Sequence, residues 1–409
     1  MGVSINSRDR KSLLIAILFI VLLYPYLFWG VLSNMIYVAG IGIVLSLLLF
    51  SRQKVLTNSE KHLAFFYVFV CFVYLLLNIT VHGFGIGGIL IRLPYLLFFF
   101  ALFMENSSMK KVMDFIVNIV SVVSIIGLLL FLLFRAGLPV PNLGEISHYN
   151  ETEFRTYSIF PFFLVPHTAD LSEIVRFCGM FDEPGVSGTF SVFFLYYLKF
   201  NYKDWRVWII TIVGIFTFSF FFYGMLFINL VFRSLQANKG FFLSIIVISL
   251  ISISYNYTKD NQALNALIWE RFEVEDGKIK GDNRITEDGE IAYEKMRGTS
   301  DYWLGLTPDK RERFWDDARG GASYKNVVAN NGMIFFALYV LFFLAYGRHY
   351  LKSKKDFILY ALLVILSLYQ RPNIFALPYI FFYACAARGV LEDLPPSRKT
   401  QSVVRSLKA

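Results

Sequence analysis

Charged residues are scarce in this sequence. They make up 17% of the 409 residues, against 56% for hydrophobic residues, whereas soluble globular domains usually carry about 25% charge. The mean hydropathy is +0.55. This balance excludes an ordinary soluble domain and predicts an integral membrane protein.

Paired cysteines and clustered metal ligands are also lacking. The 3 cysteines and 5 histidines are widely scattered, so the sequence offers neither a disulfide framework nor the spacing of a zinc site. It therefore predicts no metal and no cofactor. The net charge of +9 does not predict a nucleic-acid partner, because the basic residues lie in short segments between apolar runs.

Those apolar runs are the main positive signal, since about 20 apolar residues suffice for a transmembrane helix. The predicted spans lie near residues 12–29, 33–50, 63–80, 89–104, 112–134, 186–200, 240–256, 325–346, 356–369 and 373–388. One further uncharged run, 208–232, has basic flanks at both ends. It is predicted to cross twice, turning near Ser219 or Gly224.

Lysine and arginine set the predicted orientation, because short basic loops favour the cytoplasmic side. The basic segments alternate with nearly uncharged turns and hold more than half of the 39 Lys and Arg. The prediction is an all-α polytopic membrane protein of about 12 transmembrane helices with both termini cytoplasmic. The basic N-terminus precedes an apolar run without a small-residue cleavage site, which favours an uncleaved first span.

Two predicted outside loops are enlarged, at residues 135–185 (loop 3) and 257–323 (loop 5). Residues 307–321 of loop 5, TPDKRERFWDDARGG, predict an amphipathic helix with Thr307 as N-cap and Pro308 at its first position. No separate soluble domain is apparent, so residues 1–409 are predicted to form a single integral membrane domain.

Five charges lie at the outer ends of predicted spans: Arg92, Arg176, Asp182, Glu183 and Arg371. Each could simply reach the interface or form a structural ion pair. Ionisable groups at membrane depth are nevertheless functional candidates, and these five are predicted to converge at one depth.

The stretch RFCGMFDEPGVSGTF holds three of these charges. Residues 170–180 predict a short helix ending near Gly179, and Pro184 suits the first position of the next helix. Asp182 and Glu183 would then lie at a helix N-terminus, where anionic groups are favoured. Gly185 and Gly188 would allow close approach of another helix or a ligand.

Two interpretations of Glu183 stay open. It is either a helix-dipole partner or ion pair to Arg176, or a general base or sugar ligand in an outward-facing pocket.

These features together resemble the bacterial O-antigen polymerases of the Wzy type, within the wider group of O-antigen ligases and polymerases. The resemblance rests on the topology, on the R-x-x-G-x-F-x-E-P run from Arg176 to Pro184 and on the segment Ser323–Phe342. The His-Asn pair typical of related ligases, expected before the glycine at Gly332, is absent here. Its absence favours polymerase over ligase.

The resemblance implies a metal-independent glycosyltransferase on the periplasmic face of the inner membrane. It would transfer a growing chain from undecaprenyl diphosphate to a hydroxyl of a new lipid-linked oligosaccharide repeat. Glu183, or less directly Asp182, would accept the hydroxyl proton, and Arg176 would stabilise the departing diphosphate. Further substrate contacts would come from Arg92, Arg284, Arg319, Tyr324 and Arg371. The implied partners are the lipid-linked oligosaccharide, the bilayer and a chain-length regulator protein.

Three alternatives stay open from the sequence: an O-antigen ligase or other lipid-dependent glycosyltransferase, a lipid-linked oligosaccharide transporter, and a structural membrane protein. A transporter would be expected to carry broken helices within the membrane.

Overall fold

The structure is a computed structural model. It describes residues 7–23, 26, 34–49, 55–83, 85–150, 153–166, 175–181, 183–236, 286–313 and 323–388, together with short pieces between 255 and 279. The described chain is mostly helical. Three helices are long and apolar enough to cross a bilayer, namely Asn58–Thr80, Asn106–Arg135 and Tyr324–Tyr350. These helices indicate a membrane-embedded protein.

The helices, in chain order, are α1 Ser7–Leu22, α2 Asn34–Leu49, α3 Asn58–Thr80, α4 Ile86–Arg92, α5 Pro94–Leu97, α6 Phe99–Leu102, α7 Asn106–Arg135, α8 Pro184–Tyr197, α9 Trp205–Phe216, α10 Phe220–Gln236, α11 Glu287–Met296, α12 Ser300–Leu304, α13 Pro308–Arg311, α14 Tyr324–Tyr350, α15 Lys354–Gln370 and α16 Leu377–Arg388. Every predicted span overlaps a helix except 240–256, which lies almost entirely outside the described residues.

Helix α16 lies at the centre of the bundle. All 12 of its residues are buried, as expected of a helix that is apolar on every side. It contacts α14, α8, α15 and α6. The hydroxyls of Tyr383 and Ser367 lie 2.7 Å apart and share a hydrogen bond, so this apolar contact also satisfies two buried polar groups.

Helices α3 and α14 pack along one another. Thr57 and Glu60 form a reciprocal capping box that starts α3. Glu60 is nevertheless 1% exposed, and its Oε1 accepts a hydrogen bond from the Tyr350 hydroxyl at 2.7 Å. The start of α3 is therefore tied to the end of α14, across 290 residues of sequence.

The uncharged run 208–232 forms a helical hairpin of α9 and α10. Its turn comprises Thr217, Phe218 and Ser219, which confirms a turn near Ser219, whereas Gly224 lies inside α10. A Cβ placed on Gly188 of α8 would lie 2.4 Å from the Ser219 Cβ, so this glycine permits the close helix approach predicted from its spacing. With 12 residues, α9 is about 18 Å long, shorter than a hydrocarbon core of about 30 Å.

The predicted loop 3 contains an antiparallel sheet, so the all-α expectation does not hold there. Strands β1 Gly144–Asn150, β2 Glu153–Phe160 and β3 Phe163–Pro166 pair in the order β1-β2-β3. Phe160 and Phe163 are paired across a two-residue turn, and their rings stack with centroids 4.8 Å apart. The segment is rich in aromatic and β-branched residues, which favour strands.

In the predicted loop 5, two short strands, β4 Val274–Glu275 and β5 Lys278–Ile279, form a small hairpin. Thr307 is the N-cap of α13 and Pro308 occupies its first position, as predicted. The predicted end of this amphipathic helix lies outside the described residues.

The helix predicted over 170–180 is wrong at its described end, because residues 175–178 are not helical. The Phe177 N–H donates to the Phe216 carbonyl at 3.0 Å, and the Cys178 thiol donates to the Leu164 carbonyl. The segment therefore runs between the α9–α10 hairpin and the sheet. Its backbone and side-chain donors are used in tertiary contacts, which local capping signals do not reveal. Residues 170–174 lie outside the described residues.

Candidate active site at the start of helix α8

Glu183 occupies the N-cap position of α8, with φ −130° and ψ 142°. Pro184 follows at the first helical position, as predicted. The Glu183 carbonyl accepts hydrogen bonds from the N–H groups of Val186 and Ser187. Its side chain makes no capping bond to the helix. The carboxylate is therefore left for a tertiary partner, and it lies at the positive end of the helix dipole.

That partner is Arg371, whose Nη2 forms an ion pair with Glu183 Oε2. The side chains are 11% and 27% exposed for Arg371 and Glu183, respectively, so the pair is largely shielded from water. Arg371 is the C-cap of α15, and its N–H donates to the Ser367 carbonyl at 2.8 Å. Each charge thus lies at the helix end that favours its sign. The pair joins the start of α8 to the end of α15.

Arg176 makes two backbone contacts that its sequence context did not predict. Its Nε donates to the Thr217 carbonyl at 2.9 Å and its Nη2 to the Phe218 carbonyl at 3.1 Å. These carbonyls follow the last turn of α9, where a cation complements the helix dipole. Arg176 therefore holds the α9–α10 turn against the segment that leads to Glu183.

Arg92, at the end of α4, donates from Nε to the Tyr74 hydroxyl at 3.2 Å and from Nη1 to the Gly88 carbonyl at 2.9 Å. The Tyr74 ring lies 4.9 Å from that of Phe375. Phe375 belongs to the turn that begins at Arg371. Arg92 is thus linked through Tyr74 to the turn that follows Arg371.

Tyr324, at the start of α14, stacks on Tyr369 with ring centroids 5.2 Å apart. Tyr369 lies in the last turn of α15, two residues before Arg371. The structure therefore pairs Glu183 directly with Arg371. Arg92 is linked through Tyr74 to Phe375 of the turn 371–376, and Tyr324 stacks on Tyr369 in the last turn of α15. The predicted contributors Asp182, Arg284 and Arg319 lie outside the described residues.

Two features near these residues escaped the sequence analysis, and the first is a break in α14. Gly332 has φ 83° and ψ 153° inside the helix, a region that is essentially restricted to glycine. A Cβ there would lie 2.3 Å from the Trp303 carbonyl oxygen. The backbone around α12 therefore inserts at the break, where the Leu306 N–H donates to the Ala329 carbonyl at 2.8 Å. The only sequence signal was the helix-unfavourable Asn330-Asn331-Gly332.

The second feature is His82, which follows α3 and is 5% exposed. Burial lowers its pKa below the usual 6.5. The Leu306 backbone opposes this shift by favouring the protonated ring, whereas Arg311 and Arg92 reinforce it. His82 thus lies where the start of loop 5 helix α13 approaches α4. A lone histidine beside glycines gave no sequence signal for this contact.

The chemistry available at this site is that of a carboxylate beside cations and aromatic rings. A carboxylate can accept a proton from a hydroxyl, guanidinium groups suit phosphate oxygens, and aromatic faces can cover sugar rings. Over the described part of the chain, no group of three or more His, Cys, Asp or Glu side chains is arranged to hold a metal ion.

Comparison with known proteins does not assign the chain to a family. No family model, no curated protein and no solved structure matches the chain.

Proposed function

We propose that this protein is an integral membrane glycosyltransferase that polymerises oligosaccharide repeats carried on undecaprenyl diphosphate, as O-antigen or a related surface polysaccharide. The observation that carries the proposal is the shielded Glu183–Arg371 pair at the start of α8. Within the motif that resembles the polymerases, Glu183 is the only carboxylate among the described residues.

The proposed reaction forms one glycosidic bond and breaks one bond between a sugar and a phosphate. A hydroxyl oxygen of the incoming lipid-linked repeat attacks the anomeric carbon of the growing chain. The bond from that carbon to the diphosphate oxygen breaks, and undecaprenyl diphosphate leaves with the electron pair. Glu183 accepts the hydroxyl proton as general base, with Asp182 beside it in sequence.

Arg371 has two roles in this proposal. In the resting protein its guanidinium orients the Glu183 carboxylate. The more highly charged diphosphate of the donor then competes for the guanidinium and frees the carboxylate to act as a base. Arg92, together with Arg284 and Arg319 of loop 5, would complete the cationic surface that stabilises the leaving group. Tyr324, stacked on Tyr369, would contact a sugar ring of the substrate.

The position of Arg176 suggests a supporting role in addition to substrate contact. It holds the hairpin turn through two carbonyls, which fixes the approach to Glu183. We therefore propose that Arg176 mainly positions the backbone next to Glu183. It would contact the diphosphate through Nη1, the nitrogen that is not used in these two hydrogen bonds.

The proposed setting is the bacterial inner membrane, with about 12 spans, both termini in the cytoplasm and loops 3 and 5 in the periplasm. The apolar helices support the membrane setting, and the distribution of Lys and Arg supports the orientation. A chain-length regulator would be the natural protein partner.

A lipid-linked oligosaccharide transporter is the second candidate, and the break at Gly332 favours it. Discontinuous helices commonly form substrate sites in transporters. The break here is filled by backbone from residues 303–304, which favours a fixed docking contact over an open substrate path.

An assay with purified protein and lipid-linked repeats in vesicles tests the proposal. A polymerase yields a ladder of longer saccharides on the lipid without any nucleotide sugar, whereas a transporter yields only repeats moved across the membrane. Glu183→Gln should stop the ladder.

Glu105→Gln is the matched control, because Glu105 is also an N-cap residue without a side-chain capping bond, at the start of α7. A normal ladder from a well-folded Glu183→Gln protein would refute the site assignment. The absence of any ladder from the wild type, with transport present, would refute the polymerase proposal.

A further inference from the structure

A half-open cavity of about 210 Å³ lies at the other end of α8 from Glu183. It is bordered by the start of α7, the turn between α8 and α9, and the end of α16. Its lining residues are Asn106, Met109, Lys110, Asp114, Tyr197, Leu198, Lys199, Asn201, Arg206, Cys385 and Arg388. A volume of this size is several times the ~30 Å³ share of one water. It would hold a phosphate group with a small attached group, but not an oligosaccharide.

The lining is strongly cationic. Four cationic side chains, Lys110, Lys199, Arg206 and Arg388, face a single carboxylate, Asp114. Just outside, Asp204 accepts from Arg206 Nη2 at 2.5 Å. Even with both aspartates counted, positive charge is in excess.

Arg206 is fixed in direction by its partners. Its Nε donates to Asp204 at 3.0 Å and its Nη1 to the Asn118 side chain at 2.9 Å. The Arg206 guanidinium enhances the acidity of its partner, so the pKa of Asp204 lies below its usual value. Arg206 Nη1 also forms an ion pair with Asp114 Oδ1 at 3.4 Å. Both nearby aspartates are therefore engaged by this one guanidinium, which is held at the wall of the cavity.

Arg388 is the least expected member of the lining because it is 3% exposed. Its Nη1 donates to the Leu102 carbonyl at 2.9 Å and its Nη2 to the Met104 carbonyl at 2.7 Å. Among the described residues, its buried Nε has no hydrogen-bond partner. Burying a charge with only neutral partners is costly, and an anion in the cavity would offset that cost.

The first turn of α7 also lines the cavity, and it contributes the partial positive charge of a helix N-terminus. Asn106 is its first helical residue and lines the cavity, and the N-cap residue Glu105 makes no side-chain capping bond. The N–H groups at the start of a 30-residue helix attract anions. Arginine forks, lysines and a helix N-terminus are the groups with which proteins bind phosphate.

We infer that this cavity binds a phosphate group, supplied either by the headgroup of an anionic phospholipid or by a small soluble phosphate ester. The basic segments that line it are the first turns of α7, residues 106–111, and the α8–α9 connection, residues 199–206. The positive-inside rule predicts that both face the anionic cytoplasmic leaflet. The inference is independent of the proposed polymerase, because the two sites lie at opposite ends of α8.

The test places purified protein in nanodiscs of phosphatidylcholine, either with or without phosphatidylglycerol. Native mass spectrometry then measures how much phosphatidylglycerol the protein retains. The variant Lys110→Gln/Lys199→Gln removes two lining cations. The control Lys111→Gln/Lys203→Gln makes the same charge change at exposed neighbours outside the lining. We expect the lining variant to bind about tenfold more weakly than the wild type, and the control to bind as the wild type does.

Competition by inorganic phosphate and glycerol phosphate distinguishes the two sources. Displacement of phosphatidylglycerol by either soluble probe supports a site for soluble phosphate esters, and binding that resists both supports a lipid headgroup site. Two results would overturn the inference: no specific binding of any of the three probes, or equal loss of binding in the lining and control variants.

Discussion

The Arg176 guanidinium donates to the Thr217 carbonyl at 2.9 Å, across 41 residues of sequence. With a second bond to Phe218, it joins the segment before α8 to the turn of the α9–α10 hairpin. Thr217 is fully buried, so its carbonyl cannot recruit bulk water if the arginine is removed. Arg176 therefore contributes to stability whatever its part in chemistry.

Arg176→Ala should destabilise the protein by about 3–6 kcal/mol, because it removes two hydrogen bonds from a charged group, each of which contributes about 1.5–3 kcal/mol. Arg176→Lys keeps the charge and one donor, and should lose less. Thermal melting in detergent measures the order wild type, Lys variant, Ala variant. Unchanged melting of the Ala variant would contradict a supporting role and leave only substrate contact.

The Glu183–Arg371 pair predicts coupling between two helices. Glu183→Gln and Arg371→Gln should each lower the melting temperature, and the double variant should lose less than the sum. The expected coupling is about 1–3 kcal/mol for partners in direct contact, since each single variant leaves one shielded charge unpaired. Strict additivity in this double-mutant cycle would show that the two side chains do not interact in solution.

Gly332→Ala tests the break in α14. Backbone strain at this φ and ψ costs about 1–3 kcal/mol, and the added Cβ would also meet the Trp303 carbonyl. We expect α12 and α13 to detach, seen as faster hydrogen exchange of the Leu306 amide. Gly224→Ala is the control, since nothing lies within 4 Å of a Cβ there. Retained protection of Leu306 in Gly332→Ala would mean that the contact can relax at little cost.

His82 predicts a pH dependence of stability. Its pKa in the folded protein is below 6.5, so between these two values the unfolded chain binds more protons. Stability should therefore be full above about pH 6.5 and fall as the pH decreases toward the lowered pKa. Melting curves at several pH values should show a smaller acid-side loss for His82→Gln than for the wild type. Identical losses would mean that other groups account for the pH dependence.

Much of the helical framework was predictable, because long apolar runs and capping residues are local signals. Pro184 and Thr307 marked helix starts, and basic flanks at both ends of 208–232 required a turn inside an otherwise uniform run. The sheet at 144–166 was not predicted, although its strand-favouring residues were a local signal, because the segment lies between two apolar runs and was interpreted only as a loop connecting them.

The sequence singled out the residues of the candidate site but not their partners. Apolar surroundings singled out Glu183, Arg176, Arg92 and Arg371. Apart from the local Gly88 carbonyl bound by Arg92, their partners are 18 to 188 residues away. Tertiary packing alone selected Arg371 for Glu183 and the carbonyls of the hairpin turn for Arg176.

The bond between Tyr350 and Glu60 has a consequence for biosynthesis. At about 5–20 residues per second, the ribosome reaches Tyr350 roughly 15–60 s after Glu60. During that interval the Glu60 carboxylate has its local Thr57 partners but not the tyrosine that covers it in the finished fold. The first helices are therefore in the membrane before α14 is synthesised and can pack against them. Synthesis of the last quarter of the chain thus determines when the nascent protein can complete its fold.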